Sequence, residues 1–108
     1  MKKIYYLKTC DTCRRMLKEM DLSGSILQEI KTEPITVDQL ERLYALTQNY
    51  EVLFSRRAKK YKQMDLKNQV LTEKDYRQLI LDEYTFLKRP VIVDGKDVYV
   101  GNTRKKVT

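Results

Sequence analysis

The chain has 108 residues, with 22 Lys+Arg against 15 Asp+Glu, two Cys and no His. At 42% hydrophobic and 34% charged it is neither disordered nor fibrous. A chain of this size buries somewhat over ~60% of the surface its unfolded form exposes, enough for one core, so a single domain over 1–108 is expected. Without His there is no imidazole base, no His metal ligand and no Ser-His or Cys-His pair. Two thiols alone cannot close a four-ligand zinc site, so no metal is expected.

From the N-terminus, Lys3-Ile4-Tyr5-Tyr6-Leu7 is a β-favouring apolar run, too short for a signal peptide. No stretch approaches the ~18 apolar residues of a spanning helix, and a soluble, cytoplasmic protein is expected. From Asp11 the period becomes helical, with Cys13, Met16, Leu17 and Met20 on one face and Ser23-Gly24 as the stop. Ser25-Ile26-Leu27-Gln28-Glu29-Ile30 reads as a second strand. A strand-helix-strand unit of about 30 residues predicts a right-handed crossover and parallel strands.

After Pro34, Thr36-Val37-Asp38-Gln39 has the form of a capping box, followed by Leu40, Leu43, Tyr44 and Thr47 at helical spacing. A shorter helix is predicted over 55–64, among the cations Arg56, Arg57, Lys59, Lys60 and Lys62. Thr72-Glu73-Lys74-Asp75 opens another helix, with acidic residues where the helix dipole favours them. Its predicted apolar stripe is Tyr76, Leu79, Ile80, Tyr84 and Leu87. Val91-Ile92-Val93, the turn signal Asp94-Gly95 and Asp97-Val98-Tyr99-Val100 predict a hairpin. The order β-α-β, a helical stretch over about 36–70, then α-β-β is that of an α/β thioredoxin-like (glutaredoxin-like) mixed sheet with an all-helical insertion.

Cys10-Asp11-Thr12-Cys13 falls where the first strand gives way to the first helix. Unpaired amides and the positive end of the helix dipole favour a thiolate at Cys10. Cys13, one turn on and on the apolar face, is within reach of a disulfide with it. The roles expected are Cys10 as attacking thiolate and Cys13 as resolving thiol. Cys13 also suits a plain core position, since free Cys is commonly buried. A zinc knuckle would need a second pair of thiols, and haem attachment fails because Arg14 follows Cys13. The net charge of +7 suits nucleic acid, a solvated face or a small anion; no helix-turn-helix or aromatic stacking array supports direct nucleic-acid binding, and no membrane partner is expected.

Three blocks carry a resemblance to a known family: Tyr5-Tyr6-Leu7-Lys8-Thr9-Cys10-Asp11-Thr12-Cys13-Arg14-Arg15, then Leu53-Phe54-Ser55-Arg56-Arg57-Ala58-Lys59-Lys60-Tyr61-Lys62, then Leu87-Lys88-Arg89-Pro90-Val91-Ile92-Val93-Asp94-Gly95. With Val100-Gly101 they make the chain resemble the ArsC/Spx family over about 3–102. That family comprises glutaredoxin-coupled arsenate reductases, related reductase-like proteins and the regulator Spx. The resemblance implies a cis Pro90 whose backbone faces Cys10, and arginines that hold an oxyanion. By position these are Arg89, Arg57 (or Arg56 if the register slips) and, more loosely, Arg104. It implies no bound cofactor, with glutathione, glutaredoxin or thioredoxin as reductant, and arsenate or a thiol/disulfide as substrate. Many single-Cys members lack a thiol at the Cys13 position; the Cys-x-x-Cys form is that of Spx-like regulators, where it is a redox switch and RNA polymerase is the partner. The chain ends at Thr108, so the terminal helix usual in the family is expected to be absent or reduced to a turn.

Overall fold

Period-two alternation in the first apolar run sends Ile4 to one side of a sheet and Tyr5 to the other, and both are buried. In the structure, a computed structural model that describes residues 2–101 and 105–108, this run is β1 (Lys2–Tyr6). It is followed by α1 (Asp11–Glu19), β2 (Ile26–Glu29), α2 (Val37–Thr47), α3 (Lys59–Gln63) and α4 (Glu73–Asp82). The hairpin β3 (Val91–Asp94) and β4 (Asp97–Val100) comes next, and the tail ends as β5 (Lys105–Lys106). Single 3-10 turns lie at Glu51–Leu53, Leu66–Asn68 and Tyr84–Phe86.

The strands form one mixed sheet in the order β2-β1-β3-β4-β5. β1 and β2 are parallel, as the crossover length requires, with Ile4 opposite Leu27; the other neighbours are antiparallel. Tyr5, Val91, Val98 and Val100 belong to the main core with Leu40 and Leu43 of α2 and Tyr76 and Ile80 of α4. Ile4 and Ile92, paired with each other across β1 and β3, are buried outside that cluster, as are Cys13 and Met16 of α1, so α1 covers the opposite face.

Two of the predicted helix starts, Thr36 and Thr72, are capping boxes. Thr36 Oγ1 accepts the Gln39 N–H at 3.1 Å while Gln39 Oε1 accepts the Thr36 N–H at 3.1 Å. Thr72 and Asp75 exchange the same pair of bonds. At the edge strand β2, Gln28 rather than an apolar residue is buried. Its amide is satisfied by Gln39 in both directions and by the Glu33 carbonyl, leaving Ile26 and Leu27 exposed.

Several expectations are corrected. The helix over 55–64 shrinks to α3, because the chain before it is drawn into strand-like pairing. Phe54 bridges Leu87, and the Ser55 N–H donates to the Phe86 carbonyl at 2.7 Å. Arg56 and Arg57 therefore form a turn, not a helix. Tyr84 and Leu87 lie beyond α4, since Glu83 is extended (φ −142°, ψ 115°) and a 3-10 turn follows. α1 stops at Glu19, ahead of Ser23-Gly24, where Met20 turns extended. The hairpin loop is Gly95-Lys96, one residue later than Asp94-Gly95, with Asp94 still paired to Asp97. Gly95 has φ 64°, the left-handed value that the first loop position of such a tight turn demands. Of the two alternatives for the terminal helix, absent or reduced to a turn, the described tail fits the first and is a strand instead: β5 pairs with β4, and the Val107 N–H donates to the Val98 carbonyl at 2.9 Å.

Candidate active site at the start of α1

β1 ends at Tyr6, and the chain turns at once. The Cys10 N–H donates to the Leu7 carbonyl at 3.1 Å, and the Cys10 carbonyl accepts the Arg14 N–H at 3.0 Å, opening α1. Cys10 is thus the N-cap residue, with extended backbone (φ −88°, ψ 114°), at the positive end of a nine-residue helix. It is half-buried, whereas Cys13, on the inner face of α1, is 0% exposed. Both thiols are free.

The two sulfurs are driven apart in acidity. Burial pushes the Cys10 thiol up, but the backbone N–H and thiol of Cys13, and then the charge and N–H of Arg89, outweigh it, so the pKa lies below the ordinary thiol value. Cys10 makes no capping hydrogen bond by strict geometry, so the Cys13 N–H is a near neighbour of the sulfur rather than a tight donor. Burial pushes Cys13 up to about 12; the Leu7 N–H opposes this, and the negative charge on Cys10 adds to it. At neutral pH the pair is therefore an accessible, thiolate-prone sulfur over a buried protonated one.

Cys10 opens into a cavity of about 440 Å³. Arg56, Arg57, Lys88, Arg89 and Lys105 are among its lining residues, and no Asp or Glu lines it among the described residues. The guanidinium of Arg89 is held by the carbonyls of Thr85 (2.9 Å) and Leu87 (3.3 Å), both taken by one nitrogen, so its remaining N–H groups are left for other acceptors. Arg56 is engaged by Glu51 at 2.7 Å and by the Tyr76 hydroxyl at 2.9 Å, with its cation 5.7 Å from the Tyr76 ring centre. Arg57 is exposed and has no carboxylate within ion-pair distance among the described residues. Both arginines reach the cavity wall, then, but Arg57 is the one not committed elsewhere. Burial, then repulsion from Arg56 and Lys105, holds the Lys88 ammonium below the ordinary lysine range, with Glu51 opposing. Cations gathered on one cavity wall without a carboxylate among the described lining residues are the mark of a place prepared for an anion.

Of the residues singled out from sequence, Cys10, Arg57 and Arg89 meet at this cavity, and Cys13 lies one turn below Cys10. The Arg89–Pro90 peptide is cis. Pro90 itself is buried and not part of the cavity lining, and its carbonyl accepts the Gly101 N–H at 3.0 Å. Arg104 lies outside the described residues. Lys88 and Lys105 were missed. Lys88 stands beside Arg89 in the third block, but nothing in the local pattern distinguishes a cavity lysine from a surface one. No group of three or more Cys, Asp or Glu is placed to hold a metal among the described residues.

Replacing Arg89 by leucine removes both a charge and an N–H from the Cys10 sulfur, so the Cys10 pKa is expected to rise. The pH dependence of iodoacetamide alkylation reads this as a midpoint moved to higher pH. An unmoved midpoint would remove Arg89 from the account of thiolate stabilisation.

The ArsC family model matches residues 5–108. The global transcriptional regulator Spx of Streptococcus mutans is 27% identical over 101 residues, covering 91% of this chain and 74% of Spx. The uncharacterized Bacillus subtilis protein YusI is 28% identical over 102 residues, covering 90% of this chain and 86% of YusI. Among solved structures, a putative arsenate reductase from Yersinia pestis superposes with a TM-score of 0.77 at 22% identity, over 94% of this chain and 92% of that one, which speaks to the fold alone. A Staphylococcus aureus protein solved by NMR gives a TM-score of 0.75 at 29% identity, over 94% and 90% of the two chains. The fold is the thioredoxin-like one of these neighbours, and the chain belongs to the ArsC family.

Proposed function

We propose that the protein is an arsenate reductase-like thiol-disulfide oxidoreductase, with Cys10 as nucleophile and Cys13 as resolving thiol. The observation that carries this reading is the pairing of a thiolate-prone Cys10, at a cation-lined cavity, with a buried protonated Cys13 on the next turn. Cys10 attacks either the arsenic of an arsenate or one sulfur of a disulfide, while Arg89 and Arg57 hold the anion through planar N–H pairs. Once its sulfur is bonded, Cys10 no longer carries the negative charge that disfavours ionisation of Cys13. Cys13 then loses its proton and attacks the Cys10 sulfur. With arsenate, the two thiolates become a disulfide and their two electrons leave on arsenite; with a disulfide substrate, the second thiol is released. Residues three apart on a first helical turn have Cα atoms about 5–6 Å apart, the usual spacing of a disulfide. Glutathione, glutaredoxin or thioredoxin would then reduce it.

In this reading, Cys13→Ser halts the reaction after the first step. Incubation with glutathione disulfide should leave a persistent mixed disulfide at Cys10, read by intact mass and peptide mapping, which wild-type protein resolves. If Cys13→Ser accumulates no more adduct than wild type, Cys13 is not the resolving thiol. Consumption of NADPH by the wild type with arsenate, glutathione, glutaredoxin and glutathione reductase identifies arsenate as a substrate. A second reading, a redox-switched regulator, is favoured by the relatives named as Spx and by Lys59, Lys60 and Lys62, exposed on α3 with no ion-pair partner among the described residues. There the Cys10–Cys13 pair would set affinity for RNA polymerase. No arsenate turnover, together with polymerase binding that changes on oxidation, decides for it.

A further inference from the structure

Displacement at Cys10 expels an alkyl thiolate or a hydroxide, each a better leaving group when it receives a proton, and the chain has no His to give one. Arginines hold their protons at any physiological pH, and the hydroxyls of Thr12 and Ser55 on the cavity wall are too weakly acidic. The Cys13 thiol is fully buried and does not line the cavity, which leaves the two lysines there, Lys88 and Lys105. Lys105 is exposed on β5. Lys88 is half-buried and its backbone has a fixed station, because the backbone N–H donates to the Leu53 carbonyl at 2.8 Å and the neighbouring Arg89 is tied to Thr85 and Leu87. The charged groups facing it are Arg56, Lys105 and Glu51, and it shares the cavity with Cys10, Arg57 and Arg89.

We propose that Lys88 is the proton donor to the group that Cys10 displaces. The inference rests on Cys10 being the nucleophile. The Cys10 thiolate forms a bond to X, the X–Y bond breaks, and Y leaves with the bonding pair. The Lys88 ammonium gives Y its proton, leaving a neutral amine that solvent reprotonates. Y is a thiolate when the substrate is a disulfide and a hydroxide when it is an oxyanion. No oxidant or reductant enters this step. The surroundings of Lys88 suit it: burial and then the cations Arg56 and Lys105 ease loss of its proton, with Glu51 opposing.

The test uses Lys88→Arg, which keeps the charge and withholds the proton, with two dianionic disulfides. Dithiobis(nitrobenzoate) releases an aromatic thiolate that is stable unprotonated at neutral pH; dithiodipropionate releases an alkyl thiolate that is not. The expected result is a rate at Cys10 within about twofold of wild type for the first and about a hundredfold lower for the second, the lower end of what a positioned acid contributes. Added ethylamine should restore Lys88→Ala with the alkyl disulfide only. An equal loss with both reagents, or none with either, would reduce Lys88 to a charge or a bystander and overturn the proposal. If wild-type Cys10 fails to react even with dithiobis(nitrobenzoate), it is the nucleophile assignment that fails first.

Discussion

Cys10→Ser is expected to abolish reaction with disulfides and arsenate, with a loss on the order of 10³-fold or more in the observed rate. The reason is local. The helix end, the Cys13 N–H and Arg89 together stabilise a sulfur anion, and a serine hydroxyl is too weak an acid for the same surroundings to ionise it. Cys13 cannot substitute, being fully buried and protonated up to about 12. The check is the rate of thiolate release from dithiobis(nitrobenzoate) by wild type and Cys10→Ser. A variant retaining a tenth of the wild-type rate would place the reactive thiol at Cys13 and reverse the two roles.

Phe54→Ala is expected to destabilise the fold by about 3–5 kcal/mol, measured as a lowered urea midpoint. Phe54 is 0% exposed and stands at the meeting of three aromatic rings: Phe86 stacked at 5.1 Å, Tyr76 at 4.9 Å and Tyr61 edge-on at 6.2 Å. Each such pair contributes about 0.5–1.5 kcal/mol beyond the area it buries. Against a typical total of about 5–15 kcal/mol, the loss is a large share of the stability of the domain. Function follows packing here. Phe54 also bridges Leu87 and lines the Cys10 cavity, so it joins the Arg56-Arg57 turn to the segment carrying Lys88 and Arg89. Phe54→Leu, which keeps most of the volume, should cost clearly less. Equal losses from the two variants would mean that the ring contacts contribute little.

These two residues mark what the sequence discloses and what it conceals. Cys10 and Cys13 could be read because their environment is local: a β-favouring run, a change of period and a helix start within about a dozen residues. Thr36 was legible for the same reason, needing only Gln39 to complete its capping box, and the helix start at Thr72 was legible from the acidic residues that follow it. The cis peptide before Pro90 came from the family resemblance, since base rates for X-Pro bonds favour trans. Phe54 could not be placed, because its pairing with Leu87 spans the whole of α3 and α4, and the 55–64 cluster on its own looks helical. That one long-range bridge turned a predicted helix into the turn that brings Arg57 to the cavity. Lys88 was hidden in another way: its depressed basicity arises first from burial and then from Arg56 and Lys105, distant in sequence and adjacent only in the fold. β5 likewise depends on β4 as a template, since Lys105 and Lys106 have no strand pattern of their own.

The acidity of Cys10 is where the account is most exposed to measurement. Alkylation of the reduced wild-type protein by iodoacetamide, followed against pH with the modified residue mapped by mass spectrometry, reads it directly. A group whose folded pKa is depressed reacts as thiolate at pH values where an ordinary thiol, near about 8.5, is still protonated. The expected result is a single midpoint below that value, with all label on Cys10 and none on Cys13. A midpoint at or above the ordinary thiol value, or label divided between Cys10 and Cys13 at neutral pH, would contradict it.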